Sequence, residues 1–521
     1  MGVFEYVWAG VLAVFLGDPA FVVLGIPVSI TLLMVAAGFV GGIVVGATPG
    51  LAGPFAMAIS LPILISIFGF SSDALLPVMG FLIGIMKGAT VGGAVPAILF
   101  NTPGTPDALL TTFDGHPMAR KGRGGEALRV AHFSSVSGDT VSDIVLFVAA
   151  PFLAVLVEAY LGFPEKTALI LLSLSFIASV VGGSVAKGLI AAFLGLLAAT
   201  VATGLDSYPR LSLGTETLAG GFPVITAVLG VLILGEVFKA LEELWQAAGR
   251  DAGPPENPEL GPTRLPKGGV RRLLPFIGTS AAIGTLVGAL PGVGSTLAAT
   301  LGYATGKRMH RGETKFGDGA PEGIAATEAA NSAVSGANLI PVLSLGIPGN
   351  TAAVFLILAA ESIGGFNPGP SVFRFTEDVV NPELVIAFGL FTTMVVANAL
   401  NWTLGGLFMR RVGVLIRVPK PVLLPIVLLL TLTAIYVQET SMSALWFAIG
   451  FGFLGYLMRK LGISVLPFVI AFILAGQLEE TARQAFAVTG GDPWFLFSSP
   501  VSVTFIAMAV VVVAYFGRRQ A

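Results

Sequence analysis

The chain has no cysteine, which excludes disulfides, thiolate metal sites and cysteine nucleophiles. Histidine is scarce: His116, His132 and His310 all lie in basic stretches, and none is spaced as a metal ligand. Charge is scarce as well. Asp, Glu, Lys and Arg make up 11% of 521 residues, against roughly 25% in soluble domains. The net charge is −2, which offers nothing to a nucleic acid. No G-x-S-x-G elbow occurs, and GYATGKR at Gly302–Arg308 lacks the first glycine and the Ser/Thr of a phosphate-binding loop. The absences together argue against an enzyme. The first residues, MGVFEYVWAGVLAVF, also lack the basic region that a secretion signal carries.

What is abundant is apolar. Hydrophobic residues make up 55% of the chain, and the mean hydropathy is +0.89. Runs long enough to cross a hydrocarbon core recur along the whole length. They fall near 22–46, 52–70, 75–100, 134–160, 166–183, 187–206, 219–241, 273–290, 295–304, 326–345, 350–364, 384–409, 422–438, 444–458, 464–477 and 498–516. The 67 glycines and 33 prolines sit largely inside these runs, which points to close helix packing and broken helices. The reading is a polytopic all-α membrane protein. Its longest polar interruption, the Pro/Gly-rich 242–272, is the expected linker between a first transmembrane repeat at 1–241 and a second at 273–521.

Basic residues set the orientation. No Lys or Arg precedes Lys87, whereas 114–129 holds Arg120, Lys121, Arg123 and Arg129. Further basic clusters at 264–272, 307–315, 410–420, 459–460 and 518–519 alternate with acidic or neutral turns. The positive-inside rule then puts the basic stretches, the linker and the C-terminus in the cytoplasm.

The halves are related. Gly42, Gly46, Pro49 and Gly50 match Gly284, Gly288, Pro291 and Gly292 at an offset of 242, and VGATPG becomes VGALPG. Pro96 and Pro103-Gly104 match Pro341 and Pro348-Gly349 at an offset of 245. Corresponding loops differ in charge. The basic 114–129 answers to the acidic 360–383, the basic 307–315 to the turn near Ser71–Asp73, and the basic linker to an N-terminus without Lys or Arg. Opposite charge in matched loops predicts inverted repeats, the architecture of secondary transporters.

A Pro-Gly pair ends a helix, and inside a bilayer the freed backbone groups need partners. A single such pair reads as a surface turn. Four in symmetric positions, flanked by Thr48, Asn101, Thr102, Thr105, Ser295, Thr296 and Asn350, read as a midplane site. The predicted lining is Thr48, Pro49, Gly50, Asn101, Thr102, Pro103, Gly104, Thr105, Pro291, Gly292, Gly294, Ser295, Thr296, Pro348, Gly349, Asn350 and Thr351, with Asn331 nearby. Helix N-termini there suit an anion, and unwound carbonyls suit Na⁺. Two intramembrane charges stand out. Lys87 reads as snorkelling, ion-paired or touching a carboxylate, and Glu328 as paired structurally with Asn331 or a partner helix, or as a coupling group. The glycines at 80, 84, 88 and 92 and at 284, 288 and 292 read as packing faces.

The motifs VGATPGL, AILFNTPGTPDALLTTFDGHPMARKGRGGEAL, VGALPGVGSTLA and FGDGAPEGIAATEAANSAVSGANLIPVLSLGIPGN resemble those of the large membrane subunit of the tripartite tricarboxylate transporters, the TctA family. The resemblance implies a secondary uptake system for citrate or other organic carboxylates, coupled to Na⁺ or H⁺, in the bacterial inner membrane. It implies a small TctB-like membrane subunit and a periplasmic TctC-like solute-binding protein as partners, and an elevator-type fold. No cofactor is implied, a Na⁺ coupling ion apart. Two positions depart from the family's pattern: Val91-Gly92-Gly93-Ala94 stands where YGGS is usual, and Ala330-Asn331-Ser332-Ala333 where ANNA is usual. The lost hydroxyl and amide leave the particular carboxylate open. A solute-sensing scaffold and a passive anion channel are the rival readings.

Overall fold

The computed structural model describes the chain apart from residues 1, 24, 49–51, 182–183, 202–209, 213, 248–259, 262–263, 266–267, 292, 375–379, 412–419 and 521. Helices α1 Val3–Phe15, α2 Ile30–Gly46, α3 Gly53–Phe68, α4 Leu75–Phe100, α5 Thr111–Met118 and α6 Gly124–Tyr160 come first. Then follow α7 Phe163–Val181, α8 Val185–Ala199, the single turn α9 Glu216–Ala219, α10 Val224–Leu229 and α11 Gly235–Ala247. The second half runs through α12 Gly269–Gly288, α13 Gly294–Met309, α14 Pro321–Ala337, α15 Leu339–Leu345, α16 Thr351–Ile363, α17 Pro382–Leu400 and α18 Gly406–Arg411. It ends with α19 Lys420–Glu439, α20 Met442–Lys460, α21 Leu466–Val488 and α22 Pro500–Gln520.

Among the described residues, eight helical runs are long and apolar enough to cross a membrane. Their lipid-facing character shows on α22, where Val503, Met508, Val510 and Val511 are all exposed. A water-soluble fold would bury such a row. The protein is a multi-pass helical membrane protein.

The structure departs from the sequence map in three places. Residues 19–29 form an antiparallel hairpin, β1 Pro19–Val23 with β2 Ile26–Ser29, where the apolar pattern predicts the start of a helix. The prolines at 19 and 27 and the strand-favouring Phe21, Val22 and Val28 explain the difference. The short α1 has no counterpart in the map, since thirteen residues fall below a spanning length. The expected basic loop 114–129 is largely helical, running from α5 through a π turn at Ala119–Arg123 into α6. Gly122, at φ 73°, marks the break.

The chain forms two compact units. One gathers residues 1–154, 251–290 and 294–418, and the other gathers 155–250, 291–293 and 419–521. In the second, α7 packs on α21 and α22, α8 on α21, and α11 on α20.

In the first unit, α2 lies along α4 and α12 along α14. Glycines allow the approach. A Cβ on Gly42 or Gly46 of α2 would strike the backbone of α4 at Ile85 or Ala89. One on Gly84, Gly88 or Gly92 of α4 would strike α2 at Val35, Phe39 or Ile43. Gly284 meets Ala330, and Gly288 meets Val334 and Ala337, in the same manner. With no hydrophobic drive between helices in lipid, such backbone proximity supplies the dispersion contact that holds them together.

Helix ends match as well. The α4 helix closes on Asn101 in the left-handed region (φ 52°), with Thr102 N–H donating to Pro96 O at 3.2 Å. The α15 helix closes on Gly346 (φ 70°), with Ile347 N–H donating to Pro341 O at 3.2 Å. These are the same cap at positions 245 residues apart.

Candidate functional site

The two caps aim the chain into a pair of short connections. After Asn101, the exposed Thr102 donates its Oγ1 to Phe100 O at 3.1 Å. Pro103 is half-buried, and Gly104 N–H donates to Gly93 O at 3.3 Å. Gly104 is wedged so tightly that a Cβ would collide with Gly46 O and with Gly93. Thr105 is buried and precedes a 3₁₀ turn at Pro106–Ala108. In the second half, Pro348 and Gly349 are buried, and a Cβ on Gly349 would come within 3.5 Å of Asn338 and Gly288 O. Gly46 and Gly288 are matched positions, as are Gly93 and Asn338, so both glycines sit on the same two neighbours. Asn350 caps α16 with its own side chain, accepting from Ala353 N–H at 2.9 Å, and Thr351 begins that helix half-buried.

The first connection meets the start of α13. Thr296, in the first turn of α13 behind Gly294 (φ 72°) and the half-buried Ser295, donates its Oγ1 to Asp107 Oδ1 at 2.5 Å. Thr48, at the foot of α2, uses its hydroxyl on Val44 O at 2.8 Å. Pro49, Gly50 and Gly292 lie outside the described residues, and Pro291 belongs to the segment grouped with the second unit. All other predicted lining residues belong to the first unit.

Helices α12 and α14 and Asn338 also carry buried polar atoms without a hydrogen-bond partner among the described residues. On α14 these are Asn331 Nδ2 and Glu328 Oε2. Asn338 has both amide atoms free, and Thr285 Oγ1 stands on α12. An unpaired buried polar atom costs about 1–3 kcal/mol, so such a set suits a polar ligand or ordered water. Glu328 is fully buried and takes a hydrogen bond from Thr111 Oγ1 of α5.

Lys87 is ion-paired. Its Nζ lies 2.8 Å from Asp139 Oδ1 and 2.7 Å from Asp143 Oδ2 of α6, and 3.3 Å from Asn398 Oδ1 of α17. Asn398 Nδ2 donates to Asp143 Oδ2 at 2.6 Å, and Ser335 donates to Asp139. Sequence reasoning missed both acids. The signal is nonetheless there: they stand four apart inside the apolar stretch 134–160, a spacing that puts them on one helix face.

A third missed carboxylate is Asp114 of α5. Its Oδ1 accepts from the backbone N–H of Gly317, Gly319 and Ala320 at 2.8, 3.0 and 2.8 Å. Tyr303 OH donates to its Oδ2 at 3.0 Å. Asp114 thus ties the connection between α13 and α14 to the first half.

Comparison with known proteins adds the following. Residues 32–470 match the family described as "Tripartite tricarboxylate transporter TctA family". A protein of Agrobacterium vitis, named as an uncharacterized 52.8 kDa protein in the TAR-I ttuC' 3' region, is 32% identical over 503 residues, covering 94% of this chain and 95% of its own length. A second protein of that organism, in the TAR-II ttuC' 3' region, is 30% identical over 234 residues, covering 44% of this chain and 92% of its own length.

Proposed function

The chain belongs to the tripartite tricarboxylate transporter TctA family, and on that premise we propose that it is the transport subunit of a secondary active importer of an organic di- or tricarboxylate. It is a membrane transporter component and not an enzyme. In this reading a periplasmic solute-binding protein delivers the carboxylate, a small membrane subunit completes the complex, and Na⁺ or H⁺ drives uptake across the bacterial inner membrane.

The observation that carries the site is the pairing of the two helix breaks. Asn101 and Gly346 end their helices with the same left-handed cap. Each connection that follows packs on one of a matched pair of glycines, Gly46 or Gly288, and Thr296 at the start of α13 meets Asp107 just after the first. Backbone groups freed there, together with the unpaired Asn331 and Asn338, offer donors to a carboxylate and carbonyls to a cation. A carboxylate with two or three charges needs many donors placed at once, which two symmetric breaks supply.

A duplication is supported by the composition of the units, and its inversion by the opposite charge of the matched loops. Each half gives its first part to one unit and its last part to the other, as a duplicated chain would. An elevator-type mode is consistent with a site whose described residues fall, Pro291 apart, within a single unit. The basic stretches support a cytoplasmic C-terminus.

Reconstitution tests the reading. Proteoliposomes holding the chain and its small subunit, given binding protein and a panel of di- and tricarboxylates, should accumulate one of them uphill when a Na⁺ or proton gradient is imposed. A passive channel would only equilibrate it, and a sensing scaffold would bind without uptake; either result removes the proposal.

A further inference from the structure

Lys87 is one cation among two carboxylates. Asp139, Asp143 and Lys87 are 2%, 7% and 1% exposed, deep in a helix bundle that faces lipid. The groups hydrogen-bonded to them add no charge: Ser335 comes from α14, and Asn398 from α17. No further titratable group meets the three among the described residues. His132, lower on α6, bonds to Asn401 O at 2.9 Å and to Arg129, and Glu328 bonds to Thr111.

With both acids ionised, the cluster carries one uncompensated negative charge in a low-dielectric interior, at a cost of several kcal/mol. The hydrogen bonds point to where that charge falls. Asp139 Oδ1 takes Lys87 and Ser335. Asp143 Oδ2 takes Lys87 and Asn398, while its Oδ1 is buried without any donor. That oxygen lies over Gly336 of α14, where a Cβ would collide with it. Asp143 and Asn398 also line a cavity of about 450 Å³, whose remaining walls are mostly apolar, among them Phe147, Phe391, Met394 and Trp402. The cluster therefore has an acid whose donorless oxygen is packed against α14 and whose side chain also borders a cavity, and a resident ammonium already in the place a metal cation would take.

We infer that the Lys87–Asp139–Asp143 cluster is the proton-binding element of the transporter, with Asp143 carrying one proton in each uptake cycle. Proton transfer there is balanced without another reactant. A proton joins the Asp143 carboxylate, the cluster becomes neutral, and deprotonation on the far side restores the negative charge. A neutral cluster crosses an apolar barrier more readily than a charged one, which is how loading would couple to movement.

The inference rests on the transport reading, and the experiment separates the two. Wild-type, Asp143→Asn and Asp139→Asn proteins, each checked for membrane insertion and monodispersity, are reconstituted with the small subunit and binding protein. Substrate accumulation is followed under a pH gradient and under a Na⁺ gradient, and exchange of internal for external substrate without a gradient is measured alongside. One coupled proton allows about tenfold accumulation per pH unit, by the equivalence of pH and free energy. Asp143→Asn should lose all pH-driven accumulation yet keep exchange, because the neutral amide mimics the protonated acid and leaves a balanced Lys87–Asp139 pair. If Asp143→Asn still accumulates substrate on a pH gradient, or the wild type responds to Na⁺ alone, the assignment to this cluster is wrong. If the wild type accumulates nothing under either gradient, the transport reading itself fails.

Discussion

Lys87 holds two carboxylates together, so the effect of replacing it depends on what stays behind. Lys87→Met would leave Asp139 and Asp143 facing each other in the bundle without a cation. Removing one partner of a buried ion pair costs about 3–5 kcal/mol, and thermal unfolding in detergent should show a large fall in midpoint. Adding Asp139→Asn and Asp143→Asn to Lys87→Met should recover most of it, since the charges then leave together. A triple variant no more stable than the single one would show that shape, not charge, sets the cost. Asp114 gives a second contrast. Asp114→Ala strands the N–H groups of Gly317, Gly319 and Ala320, at about 1–3 kcal/mol for each one left dry. Asp114→Asn keeps an acceptor for them. Proteolysis of the connection between α13 and α14 should accelerate strongly in the first variant and little in the second. Lys87 is conspicuous in the sequence as a charge in an apolar run, but its partners are not. They lie 52, 56 and 311 residues away, and no local period reports which helices face each other.

At the scale of the element, glycine spacing is legible from residue order alone because a four-residue repeat marks one helix face. Which glycines touch backbone is not. Gly88→Ala would drive a Cβ into Phe39 O, whereas Gly41→Ala on α2 meets nothing within 4 Å. Overpacking costs about 1–3 kcal/mol, while Ala in place of an unhindered helical Gly gains up to about 1 kcal/mol. The two substitutions should shift the unfolding midpoint in opposite directions, and equal shifts would contradict the interlocked α2–α4 face. The helix ends follow similar logic. Pro96 and Pro341 are visible as breaks, but the left-handed residue that closes each helix falls five positions later. One of these residues is a glycine and the other an asparagine, so no single residue type announces the match. The hairpin at 19–29 and the short α1 escape for a different reason: apolar content alone does not distinguish a strand from a helix in short runs.

For the whole molecule, the absence of cysteine turns topology into a measurement, because any introduced thiol is the sole target of a maleimide. Residues 114–129 and 360–383 are matched stretches of opposite charge, and each contains an exposed position, Arg120 in one and Asn367 in the other. If the halves are inverted, Arg120→Cys faces the cytoplasm and Asn367→Cys the periplasm. A membrane-impermeant maleimide added to intact cells should then label Asn367→Cys and spare Arg120→Cys, with the pattern reversed in inside-out vesicles. Arg518→Cys, near the C-terminus, should follow Arg120→Cys. Labelling of both loop positions from one side would make the repeat parallel, and a parallel repeat cannot bring two breaks to the midplane from opposite faces. The exchange of segments between the two units depends on the same point. A chain whose halves each contribute to both units holds two copies of each unit's elements, and inversion would turn one copy toward either side of the membrane. The site proposed at the breaks, and the proton proposed on Asp143, both need that two-sided access, so the labelling pattern decides whether either can operate as an uphill transporter.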